Sequence, residues 1–440
     1  MLCRFEDRLA GTALEMEAPC GRIEARAAHE LESALARIEA ERARGRWVAL
    51  LAAYELGEWL EPSVAWADAA TGSTGTPCGA AGGAPGGPAP RPPAATRGGE
   101  SCDRTDDGAD AGGHEFPRLT ALVFERARRT VPWPAGDASA AGILEATPGI
   151  DAARHAGAVE EIRERIAHGE VYQVNYTFPM RVRAQGDPAA LYRALAARHP
   201  SAHAAFIQDG RRSVLSFSPE LFVRRRGATL TCRPMKGTAP RHPDPAEDER
   251  LGRELLASVK NRAENLMIVD LLRNDLGRLA APGSVRVENL FALERYPSVW
   301  TLTSTIHAEA PRAGLEDILR ALFPCGSVTG APKIAAMRRI RALEAAPRGL
   351  YCGSLGWLAP DGDFSLNVAI RTLVLEHGAD AGSGAGAQQG AGTDASGPAG
   401  IRHGIYGVGG GIVIDSDPGL EWRECQWKSR IVAPGSLAFA

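Results

Sequence analysis

Two residues stand out for chemistry: Lys236, in Arg233-Pro234-Met235-Lys236-Gly237-Thr238, and Glu220, in Ser218-Pro219-Glu220. A hairpin turning at Gly227 would run Glu220–Arg224 antiparallel to Ala228–Cys232. Glu220 would then fold back toward the end from which Lys236 emerges. An amine and a carboxyl held at one site can supply a nucleophile and an acid. Alone, Lys-Gly-Thr reads as a surface lysine after a strand, because Lys is mostly exposed. The rest of the chain overturns that reading.

Three further groupings carry chemical information. Glu421 and Glu424 share a face of a helix that Asp417 can cap and Pro418 can start, and Lys428 falls one turn after Glu424. A solvated, salt-bridged helix face has the same pattern. Glu264 lies in Arg262–Leu272, where apolar residues on several faces predict a largely buried helix, so its carboxylate needs a partner. A hard divalent cation shared with Glu421 or Glu424 would supply one, and an all-oxygen set favours Mg²⁺ over zinc. Asp270, Arg273, Asn274 and Asp275 read as a polar network at that helix's end.

The stretch Phe323–Lys333, with Ser327, Thr329 and Gly330, leads into a helix whose first turn suits Pro332. It reads either as an anion cradle or as a plain capped helix. It is not a phosphate-binding loop, because the G-x-x-x-x-G-K-[ST] pattern fails at Ala331. Gly407–Gly411 precedes the apolar run Ile412–Ile414 rather than opening a helix, so it fails the dinucleotide fingerprint. In Phe364–Arg371 apolar residues alternate with Ser365, Asn367, Ala369 and Arg371. That pattern suits the floor of a carboxylate-binding cavity or an exposed sheet face.

The elements that must position these groups come in adjacent strand runs rather than alternating with helices, which predicts an α+β fold with largely antiparallel sheet. A helix marked by Leu31, Leu35 and Ile38 precedes a strand at Trp47–Tyr54. Asp151 caps a helix striped by Val159, Ile162 and Ile166 and ended by Gly169; Val171–Thr177 then alternates as a strand. Further strands are expected at Ser213–Ser218, Leu355–Leu358, Phe364–Val374 and Tyr406–Ile414. One long helical region is expected over roughly Glu247–Leu279, with Leu251, Leu255 and Val259 on one stripe. The expected organisation is an N-terminal piece over 1–68, a low-complexity excursion over 69–113, a connecting segment over 114–150, and a catalytic domain over 151–440 interrupted by a second excursion at about 378–400.

The 440-residue chain carries a net charge of −3 with both signs interspersed, which argues against nucleic acid or an anionic membrane as partner. The eight cysteines lack metal-ligand spacing and suit a reducing compartment; Cys232, Cys325 and Cys352 read as small buried hydrophobes. No apolar signal core opens the chain and no run near the start is long enough to span a bilayer, so a cytoplasmic location is expected.

The order Tyr172-Gln-Val-Asn-Tyr, Ser218-Pro-Glu, Pro234-Met-Lys-Gly-Thr, Glu264-Asn, Asp270-Leu-Leu-Arg-Asn-Asp, Gly326-Ser-Val-Thr-Gly-Ala-Pro-Lys, Ile370-Arg and Glu421-Trp-Arg-Glu resembles the chorismate-utilising enzymes over Asp151 to Val432. These are the synthase components of anthranilate and aminodeoxychorismate synthases and the isochorismate and salicylate synthases. The resemblance implies the anthranilate synthase component I-like fold, two α/β subdomains with orthogonally packed antiparallel sheets around the active site. It also implies Mg²⁺ and chorismate. Within the family, Lys236 is similar to the lysine of aminodeoxychorismate synthases where anthranilate synthases carry Ala. Gln173 stands in the strand where isochorismate-type enzymes have a lysine, and Thr301 stands where anthranilate synthases have a catalytic histidine.

The resemblance assigns Lys236 as a nucleophile that expels the ring 4-hydroxyl, and Glu220 as the acid assisting its departure. Glu264 and Glu424 would ligate Mg²⁺, with Glu421 direct or through water. Tyr351, Arg371 and the amides of Gly409, Gly410 and Gly411 would hold the enolpyruvyl carboxylate. Ser327, Thr329, Gly330 and Lys428 are placed near the ring carboxylate and metal, and Gly237 and Thr238 join the substrate-contacting set. No G-x-C-x-G elbow is present, so ammonia is expected from a separate glutaminase subunit; no fused pyridoxal-phosphate lyase is expected either. The implied product is 4-amino-4-deoxychorismate, on the way to para-aminobenzoate and folate.

Overall fold

A computed structural model describes residues 1–64, 116–137, 140–296, 299–377 and 400–435. Most of the two excursions expected at 69–113 and 378–400 lies outside the described residues. Every strand pair in the described residues is antiparallel, and the pairs join into one continuous ladder. One half runs from Ala141–Pro148 through Gln173–Gly186, Ile401–Ile412, Thr372–Glu376, Arg212–Ser218 and His203–Gln208 to Leu2–Asp7. The other runs from Trp47–Ala52 through Ser354–Leu358, Phe364–Val368, Leu221–Arg226 and Thr229–Arg233 to Val299–Glu309, which also pairs with Met235–Pro240 and Arg286–Arg295. Thr12–Ala25 and Leu119–Thr130 link the halves. Phe5, Leu51, Ile207, Val214 and Leu355 pack in one core drawn from both halves.

Residues before 65 are therefore woven into the same sheets as the rest. The segment 114–150, expected as a connection, carries two strands, Leu119–Thr130 and Ala141–Pro148. The helix after Asp151 forms as expected: the Asp151 carboxylate accepts from the Arg154 amide, and Val159 and Ile162 are buried.

Three expectations are corrected. The long helix is two helices, Pro245–Ala257 and Val259–Gly277, because Ser258 leaves the helical conformation and its hydroxyl caps the second. Val259, at that new N-terminus, is 83% exposed rather than part of a buried stripe. The second helix buries only the face of Asn265, Ile268, Val269 and Leu272; Leu266 faces solvent and Glu264 is half-buried. At its far end Asp270 and Arg273 form an exposed pair, while Asp275 is bonded to Lys333 across the core at 2.6 Å. Finally, Phe364–Val374 is two strands, Phe364–Val368 and Thr372–Glu376, broken where Arg371 takes φ 49°.

Candidate active site

The hairpin turning at Gly227 pairs Arg226 with Thr229 and Leu221 with Arg233, which brings Glu220 beside the start of Met235–Pro240. The Ser218 hydroxyl donates to the Val368 carbonyl at 2.6 Å, and the Val368 amide donates to the Glu220 carbonyl at 3.1 Å, fixing the Ser-Pro-Glu turn. Glu220 and Lys236 both border a cavity of about 320 Å³. Glu220 is 3% exposed and its Oε1 has no hydrogen-bond partner. Burial pushes its carboxyl up to about 7, against the smaller pull of Ser327, Lys236 and the Met235 amide. At neutral pH that acid is poised to hold or give a proton.

Arg371 reaches the same cavity because of the strand break. Regular alternation would have put it on the face of Ser365 and Asn367, but those two border a different cavity. The positive φ at Arg371 turns it to the other side, beside Ile370. The expectation of one polar face ending in the guanidinium is thus corrected. Among the described residues, the side chains of Lys236, Arg371 and Lys260 have no ion-pair or hydrogen-bond partner, so the cavity presents free cations suited to an anionic ligand. Lys260 escaped the sequence reading because it becomes a cavity residue only once Ser258 starts a new helix.

Helix Pro418–Lys428 is capped by Asp417, whose carboxylate accepts from the Leu420 amide, and it delivers Glu421, Glu424 and Lys428 to the cavity. Lys428 Nζ lies 2.8 Å from Glu424 Oε1 and donates to the Gly409 carbonyl at 2.7 Å. Lys428 holds the Glu424 carboxyl below its ordinary range, whereas burial raises that of Glu421 despite a 2.7 Å bond from Ser416. Glu264 borders the cavity from the opposite helix. Among the described residues no three His, Cys, Asp or Glu side chains stand close enough, as placed, to ligate one ion. The donor set still fits a hard divalent cation: it is three carboxylates around one cavity. Gly410 also leaves space beside them, since a Cβ there would lie 3.3 Å from Glu421 Oε2 and 3.8 Å from Lys428 Nζ.

Gly409 and Gly411 border the cavity within strand Ile401–Ile412. Pairing of that strand with Thr372–Glu376 ends at Tyr406, so this edge is open beyond it. Lys428 takes the Gly409 carbonyl on the open edge, and the amides of Gly409 and Gly411 face the same way. Gly407 leaves room for Tyr351, whose ring a Cβ would meet at 2.1 Å.

Ser327 borders the cavity, but Thr329 and Gly330 do not. The Thr329 hydroxyl is used internally, on the carbonyls of Cys325 and Gly326, and Gly330 pairs with Val174 at φ 146°. These two shape the wall rather than face a ligand. Gln173 was noted in sequence only for not being lysine. It is fully buried, neither of its amide atoms has a partner, and its Nε2 and Lys236 Nζ both flank the space above Gly411.

A second cavity, also about 320 Å³, lies against the N-terminal strands and contains none of these groups; Glu6, Trp47, His203, Arg224 and Trp357 line it. No helix among the described residues is long and apolar enough to cross a membrane.

Over 319 residues the chain is 40% identical to anthranilate synthase component 1 of Streptomyces coelicolor, covering 70% of this chain and 58% of that one. Over 265 residues it is 41% identical to aminodeoxychorismate synthase component 1 of Klebsiella aerogenes, covering 60% and 53%. The matches thus span little more than half the length of these curated relatives. Among solved structures, anthranilate synthase component I of Streptococcus pneumoniae superposes with a TM-score of 0.69 at 22% identity, over 96% of this chain and 92% of that one. The menaquinone-specific isochorismate synthase of Escherichia coli gives 0.66 at 18%, over 100% and 88%. The fold is therefore that of anthranilate synthase component I. With the model of the chorismate binding enzymes matching residues 111–389, the chain belongs to that family.

Proposed function

We propose that the chain is an aminodeoxychorismate synthase component I, which aminates chorismate at the ring carbon bearing the 4-hydroxyl. Lys236 Nζ forms a bond to the ring as the C4–O bond breaks, and the hydroxyl leaves as water with the Glu220 proton. Ammonia then forms the C4–N bond and the lysine leaves. The observation that carries the reading is Lys236, an unpartnered amine bordering the same cavity as a buried Glu220 carboxyl raised to about 7. Arg371, Tyr351 and the open glycine edge would hold one substrate carboxylate. Glu264 and Glu424, with Glu421, would hold Mg²⁺, which when bound would neutralise the other. The reading includes a separate glutaminase subunit as the ammonia source and a cytoplasmic setting in para-aminobenzoate synthesis.

Anthranilate synthesis is the second reading, favoured by relatives of that name at 40% identity. Against it stands Thr301, whose hydroxyl is bonded to the Gly237 carbonyl and which does not border the cavity. The deciding experiment incubates the chain with chorismate, Mg²⁺ and ammonium and separates the products. 4-Amino-4-deoxychorismate is expected; anthranilate, isochorismate or salicylate as the main product would overturn the proposal.

A further inference from the structure

We propose that Thr301 is a positioning residue for Lys236, acting through a bulge in the strand that carries the lysine; the inference rests on Lys236 being the nucleophile. In the pairing of Met235–Pro240 with Val299–Glu309, Lys236 stands opposite Leu302 and Thr238 opposite Thr301. Gly237 is the extra residue between them, which makes this a β-bulge. A regular strand shows alternate residues to one side, yet Met235, Lys236, Gly237 and Thr238 all border the cavity. The bulge is what aims the amine.

Two contacts hold it. Thr301 Oγ1 donates to the Gly237 carbonyl at 3.0 Å, from a side chain that is fully buried and does not touch the cavity. From the other side Asn261 covers Gly237: a Cβ there would lie 3.0 Å from Asn261 Cβ and 3.1 Å from its Oδ1, and Gly237 sits at φ 83°. Asn261 is tied down in turn, its Nδ2 donating to Ser258 at 2.9 Å. Without the threonine hydroxyl, the Gly237 carbonyl loses its buried donor and the extra residue can move along the strand. A one-residue slip turns a side chain to the opposite face. Thr301 therefore fixes the direction of Lys236 without contacting substrate.

The test compares Thr301→Val, which keeps the shape and removes the donor, with Thr301→Ser, which keeps the donor. Three quantities are measured: the rate at which Lys236 forms an adduct with chorismate when ammonia is withheld, the KM for chorismate, and the rate of reductive methylation of Lys236 by formaldehyde and cyanoborohydride. Thr301→Val is expected to slow adduct formation about tenfold or more, with KM within about twofold, since small misplacement of a reacting group is costly. Lys236 methylation should change in the same variant, and Thr301→Ser should restore both rates. A parental adduct rate in Thr301→Val overturns the proposal, and so does Thr301→Ser being as slow as Thr301→Val. If the parent chain forms no adduct, the nucleophile reading fails instead. Methylation then decides the positioning alone, and an unchanged rate in Thr301→Val overturns it. Should the valine variant not fold, Thr301→Cys, similar in volume with a weaker donor, carries the same comparison.

Discussion

The described residues enclose two cavities of about 320 Å³, and their buried carboxylates are treated in opposite ways. In the one against the N-terminal strands, Glu6 is buried but bonded to Arg4, Arg8, the Trp133 amide and the Tyr192 hydroxyl, and Arg226 is paired with Asp363. Among the described residues Arg224 Nε is the one side-chain atom there that is buried without a partner, and Arg129 and Arg224 are its unpaired cations. In the other, among the described residues, Lys236 and Arg371 have no ion-pair or hydrogen-bond partner and Glu220 is left with a bare oxygen, while beside its Gly411 both amide atoms of the buried Gln173 are orphaned. Neither volume nor unpartnered cations separate the two; the bare buried carboxyl oxygen of Glu220 and the orphaned amide of Gln173 do. Buried groups without partners cost stability, so their clustering marks the cavity built to receive something.

The sharpest break of this contrast would be Lys236→Ala. Para-amination is expected to fall by about a thousandfold or more, leaving at most a trace of anthranilate, and the lysine adduct should vanish from the intact-mass spectrum. Parental turnover in that variant would reduce Lys236 to a positioning charge.

The next two substitutions should move stability by similar amounts in opposite directions. Glu6→Gln breaks a satisfied buried ion pair and should destabilise by about 3 kcal/mol while leaving kcat near its parental value, read by urea unfolding beside an activity assay. Glu220→Gln should do the reverse. Its carboxyl rises from 4.5 unfolded to about 7 folded, so the folded state binds more protons between those values and stability falls as pH increases across that window. At pH 8 Glu220→Gln should therefore be more stable than the parent by up to about 3 kcal/mol, and near pH 4 the two should coincide. The activity profile of the parent should decline as pH rises through about 7, and a flat profile would remove Glu220 as the acid.

Smaller losses are expected from the ligand-holding groups. Glu264→Gln should lower turnover about a hundredfold and weaken Mn²⁺ binding measured by EPR, with the fold intact. Unchanged Mn²⁺ affinity would exclude Glu264 as a ligand. Arg371→Lys should raise the KM for chorismate about tenfold, because a point charge replaces a two-pronged contact. No change would detach Arg371 from the substrate.

Much of the site was legible because its signals are local. The Gly227 turn, the Asp417 cap and the i, i+3 spacing of Glu421 and Glu424 are short-range rules, and each holds. What was illegible depends on distant partners. The kink that turns Arg371 follows no Gly or Pro, and it lies where the strand meets the Ser218 turn pinned to Val368. The break at Ser258 has only a hydroxyl to announce it. Leu2–Asp7 carries three charged residues among six and is a strand only because His203–Gln208 and Thr12–Ala25 flank it. Thr329 shows the converse failure: a small hydroxyl in a glycine-rich stretch suggested a ligand, but two carbonyls one turn back already use it.

The sheet register near the two composition-biased stretches has a practical consequence. Ala52 is opposite Leu119, and Leu375 is opposite Gly404, so at each place the chain departs from one strand and returns on its immediate neighbour. The ladder itself holds the two ends together, although at the first place Leu56, Leu60 and Val64 still pack into the core after the strand ends. Each doubling of such a connection costs only about 0.6 kcal/mol in closure entropy. These are splice points, where evolution or an engineer can lengthen, shorten or exchange sequence while the cavity keeps its shape.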